Sequence, residues 1–123
     1  MSSLQRIISA DILVQHLGPD AMTIDAVLLE KHGRSARTLV KDGPLRLTLM
    51  ALAPGGSLPT HSTDNPISIH VVQGAVSFFA LDTEHVLGEG DVLIVAAGVD
   101  HSARSENGAT FLLTVAHVAS AVA

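Results

Sequence analysis

A chain of 123 residues, 47% hydrophobic and 15% charged, is long enough to bury one core and too apolar to remain disordered. A net charge of −5, three Phe and no Tyr or Trp argue against both a phosphate-binding surface and a base-stacking platform, so no nucleic-acid partner is expected. The absence of cysteine removes disulfides and thiol chemistry. No apolar run approaches the roughly 18 residues of a membrane helix, and no export signal opens the chain. No membrane partner and a cytoplasmic location are therefore the expectations.

Residues 1–35 are expected to form an N-terminal helical arm. Ser2 or Ser3 is placed to cap a first helix in which Leu4, Ile7, Ile8 and Ile12 share a face, with Leu17 its last apolar residue. Gly18-Pro19-Asp20 ends that segment. Asp20 is a cap for a second helix carrying Met22, Ile24, Val27 and Leu28, which Gly33 terminates. Lys31 and His32 suit the negative end of its dipole, so His32 reads as an exposed helix-end residue.

From residue 36 to the C-terminus, 36–123, the pattern is that of a β domain. Short strand-like runs alternate with Gly, Pro, Asp and Asn: Arg37–Val40, Leu45–Leu52, Leu58–Thr63, Ile67–Gln73, Ala75–Leu81, His85–Leu87, Val92–Val95, His101–Arg104 and Thr110–His117. In the second, Leu45, Leu47, Leu49 and Ala51 alternate with Arg46, Thr48 and Met50, which predicts a half-buried strand. Gly74 interrupts a continuous apolar run and predicts a tight bend. Many short strands at this spacing indicate a sandwich or barrel, so the fold class is all-β.

Two stretches stand out. Gly55 to Gly74 places His61 and Thr63 ahead of a polar turn and an apolar strand. Gly90 to Ser105 places a short apolar strand and a small-residue turn ahead of His101. A barrel that brings these two units together brings their histidines together.

These stretches resemble the paired motifs of the cupin family, small β-barrels of the double-stranded β-helix or jelly-roll type. The first family motif runs Gly, five residues, His, one, His, three or four, Glu, six, Gly; Gly55, His61, Thr63, Ile67 and Gly74 fall on it. The second runs Gly, five, Pro, one, Gly, two, His, three, Asn; Gly90, Ala96, Gly98, His101 and Ser105 fall on it. The resemblance covers roughly residues 36 to 117 and implies homodimers.

A typical cupin site holds a divalent transition metal (Fe, Mn, Ni or Zn) with three His and one Glu. By resemblance this chain keeps His61 and His101 as metal ligands, while Thr63 stands for the second His and Ile67 for the Glu. A threonine hydroxyl is a poor ligand and an isoleucine none, so the set is incomplete. His70 is an obvious substitute, but strand parity sends it to the face opposite Ile67 and Ile69 unless a bulge intervenes. Gln73 shares the parity of Ile67 at the far end of the strand. The facing of His85 and His117 is open, and Asp64 and Asp100 read as turn carboxylates.

Two histidines still admit general-base chemistry. The metal-free epimerases that resemble cupins often use a Tyr acid, however, and this chain has none. A Ser-His hydrolase on Ser62 or Ser102 fails because adjacent strand residues face opposite sides. Three functions remain open. One is a module binding a small molecule in an apolar pocket lined by His61, Thr63, Ile67, Ile69, Phe78 and His101. Another is a metal-dependent dioxygenase or isomerase, with His61, His101 and a nonstandard third ligand. In the third, the histidines have only a structural role.

Overall fold

The computed structural model of the chain describes residues 11–17 and 31–117. Among them nine strands form two antiparallel sheets: β1 (Arg34–Asp42), β2 (Leu45–Leu52), β3 (Ser57–His61), β4 (Ile67–Gly74), β5 (Val76–Ala80), β6 (Thr83–Leu87), β7 (Val92–Val95), β8 (His101–Arg104) and β9 (Ala109–Ala116). The larger sheet runs β1-β2-β9-β4-β7 and the smaller β3-β8-β5-β6. Every strand expected from the sequence is present, with ends shifted by three residues at most. The architecture is the expected all-β jelly-roll barrel.

The core lies between the sheets. Ile67, Ile69 and Val71 of β4 and Phe111 of β9 meet Val76, Phe78 and Ala103 from the smaller sheet, all 5% exposed or less. These are the period-two positions of their strands, so alternation alone aims them inward. Burial of each such aliphatic or aromatic side chain contributes about 1.5–3 kcal/mol, which makes this face the main source of stability.

The alternation of β2 is real, but the expectation of a half-buried strand needs correcting. Met50 pairs with Phe111 and Leu52 with Ala109, so Arg46, Thr48, Met50 and Leu52 share the inward face. Leu47 and Leu49 project from the outer face. There they join a second apolar cluster with Leu39, Val40, Leu112 and Leu17. Leu17, from the N-terminal part of the chain, thereby covers part of the outside of the larger sheet. Leu49 is fully buried as a result, at 0% exposure.

Most of the predicted helical arm falls outside the described residues. Within them, residues 12–17 have no regular structure and Ile12 is exposed, so the expected helical face does not extend to Ile12. Residues 31 and 32 carry helical backbone, His32 is exposed, and Gly33 at φ 74° ends the turn as anticipated.

Gly74 closes β4 at φ 79°, and a Cβ there would meet the carbonyl oxygen of Gly108. The bend needs glycine both for its left-handed backbone and for this approach. Among the described residues no helix is long and apolar enough to cross a membrane.

Candidate functional site

His61 ends β3 and His101 begins β8, and the two are direct partners in the antiparallel register. Their rings meet edge to face with centroids 4.4 Å apart and planes at 62°. The turns behind them are tied by a hydrogen bond from Gly98 N–H to Thr63 O, 2.7 Å. The two stretches singled out in the sequence thus converge, 40 positions apart, because adjacent strands carry them.

The two rings differ in environment. His101 is buried at 4% exposure, stacked on Phe78 with centroids 5.4 Å apart and planes at 18°. Its Nδ1 lies 3.0 Å from the carbonyl oxygen of Val99. A carbonyl only accepts, so Nδ1 carries the proton and Nε2 of the neutral ring is left as an acceptor. His61 is exposed at the rim. Ile67, Ile69, Phe78, Ala103, Phe111, Leu113 and Val115 wall a cavity of about 60 Å³ behind the pair, with Thr63 at its edge. A water molecule's share of liquid is about 30 Å³, so the enclosed part holds only a few heavy atoms. A bound molecule would meet the polar side chains of His61, Thr63, His101 and Ser102 beside an otherwise apolar wall.

The donor set does not fit a resident divalent metal. Thr63 Oγ1 donates to Asn65 O at 2.5 Å and accepts from Asn65 N–H at 3.3 Å, which commits the hydroxyl to its own turn. Ile67 is a buried wall residue. His70 pairs with Leu112 and Val92 and is exposed on the outer face, as strand parity required. A bulge does occur in β4, but between Val71 and Gln73, beyond His70; it breaks the parity that linked Gln73 to Ile67, and Gln73 is exposed. His85 pairs with Phe78 and so shares its inward face, without lining the cavity. Asp64 and Asp100 are exposed. Among the described residues no three metal-ligating side chains gather, and two imidazoles alone leave most coordination positions to water.

Three residues at the same end of the barrel were not picked out from the sequence as a group. Arg46 stands opposite Val115 in register and shares its inward face. His117 follows β9 two positions later, its N–H bonded to Pro44 O at 2.6 Å, so the pairing continues and its side chain keeps that face. Asn65 Nδ2 lies 3.1 Å from His117 Nδ1. Arg46 Nε and His117 Nε2 are buried without a hydrogen-bond partner. The register of β2 on β9 is the signal that finds them, and it exists only once the strands are paired.

A family model described as "Cupin domain" matches residues 48–116. No curated protein matches the chain. Among solved structures, a conserved protein of unknown function from Streptococcus pyogenes superposes with a TM-score of 0.72 at 21% identity, covering 98% of both chains. An RmlC-like cupin from Shewanella frigidimarina gives 0.67 at 21% identity over 72% of this chain and 80% of its own. KdgF from a Halomonas species gives 0.66 at 15% identity over 92% and 94%. At these identities the likeness speaks for the fold alone. The family model spans more than half of the chain, on the strands that carry both histidines, and the chain belongs to the cupin family.

Proposed function

We propose that this cupin binds a small molecule in the apolar cavity between its two sheets. The observation that carries the proposal is the placement of the cavity: walls from both sheets, with the His61–His101 pair at its mouth. An apolar lining with a few polar side chains, here His61, Thr63, His101 and Ser102, is the usual make-up of a small-ligand site, where burial supplies affinity and the polar atoms supply orientation. Titration of the labelled full chain with small apolar fragments, followed by amide and imidazole NMR shifts, tests it. Shifts should concentrate on His101, Ile67 and Phe78 and disappear in Ala103→Leu, which fills the cavity while a cooperative melt confirms the fold. Shifts confined to other surfaces would overturn the proposal.

The alternative of a metal-dependent enzyme built on His61, His101 and a third ligand is weaker, since that third donor is missing among the described residues. The expected homodimer belongs to the same proposal. Val92 and Ile94, 56% and 68% exposed on edge strand β7, are its candidate contact. Light scattering of wild type and Ile94→Lys tests it, and a strict monomer at high concentration would remove it.

A further inference from the structure

The inward face of the barrel's open end carries more positive charge than the rest of the chain prepares for. Only seven residues of the acidic chain are Lys or Arg, and two of them, Lys41 on β1 and Arg46 on β2, stand directly opposite each other in register. Like charges in that relation are unfavourable unless something negative lies between or beside them. Arg46 Nε is buried with no acceptor.

His117 adds a second donor of the same kind. The Asn65 side-chain nitrogen can only donate, so His117 Nδ1 accepts from it and the ring proton of the neutral imidazole sits on Nε2. That Nε2 is buried and unpaired as well. It lies diagonally across the β2–β9 pair from Arg46, within the span a long side chain bridges. Two buried donors without acceptors, one of them on a cation that faces a second cation, describe half of a binding site whose other half is an oxyanion. Val115, directly opposite Arg46, is itself a wall of the apolar cavity.

The geometry points to a small organic acid as the ligand, its carboxylate held at the rim by Arg46, His117 and Lys41 and its short apolar body lying in the cavity. This rests on the cavity being the binding site. It adds the chemical class and a second set of residues, opposite the histidine pair.

The test is NMR titration of the full chain with butyrate, with butyramide as its uncharged isostere, and with inorganic phosphate. Butyrate should bind at least tenfold more tightly than butyramide in the wild type, with shifts at His117 and Val115. The preference should vanish in Arg46→Gln and fall in Lys41→Gln. Lys41→Gln decides the matter should Arg46→Gln fail to fold. Equal affinity for butyrate and butyramide would overturn the organic-acid inference and leave the cavity standing as the site. Phosphate binding more tightly than butyrate, or a carboxylate preference that survives both substitutions, would also overturn it. Silence from all three probes would remove this inference and the cavity proposal together.

Discussion

His61 and His101 are register partners in one antiparallel pair, yet only His101 is sunk into the core. The rings touch, but one is a packing element and the other a rim residue. His101→Ala should therefore cost about 2–3 kcal/mol, because it opens space beside Phe78 and orphans the Val99 carbonyl. His61→Ala should stay within about 0.5 kcal/mol, as for other exposed positions. Urea unfolding of the two variants measures the difference, and equal costs would contradict the asymmetry.

Restoring the residues that the family motif would carry should restore metal affinity. Thr63→His with Ile67→Glu adds an imidazole and a carboxylate to the existing pair, and Zn²⁺ or Ni²⁺ affinity should rise at least about a hundredfold. The metal-free double variant should be less stable than wild type, since Ile67 is 5% exposed and a carboxylate there is buried. Competition titration against a chelator gives the affinities. Near-stoichiometric metal retained by the wild type through chelator dialysis would show that the existing donors already suffice.

Arg46→Met should stabilise the ligand-free protein by about 1 kcal/mol. It removes a half-buried charge whose Nε has no partner, and it relieves the register opposition to Lys41. The denaturation midpoint should rise at constant m. A loss of stability would mean that the guanidinium supports the fold rather than a ligand.

The β5–β6 hairpin turns through Leu81 and Asp82 at φ 51° and 60°, a two-residue loop with both central residues left-handed. Leucine is poorly suited to that backbone and here is 80% exposed. Leu81→Asn with Asp82→Gly should raise stability by about 1 kcal/mol without touching the cavity. Thermal melts with a fragment titration check both halves of that statement. A drop in melting temperature would indicate that Leu81 makes contacts that matter in solution.

Much of the fold was legible from strand chemistry. Alternation marked β2, an apolar run after a polar turn marked β4, Gly74 marked a bend that glycine alone permits, and the spacing around His61 and His101 placed both beside turns. Parity alone also sent His70 outward, since a strand's faces follow from its own sequence. The two faces of β2 were separable in the sequence, but which of them met the core was not. Leu47 and Leu49 have apolar cover outside the barrel from Leu39 on the paired strand β1 and from Leu17, and that cover is not a property of β2 itself. Likewise Arg46, Asn65 and His117 are unremarkable one by one. Only the pairing of β2 with β9 brings two unpaired donors together beside Val115, because hydrogen-bond register between strands is a property of the assembled sheet and not of either segment.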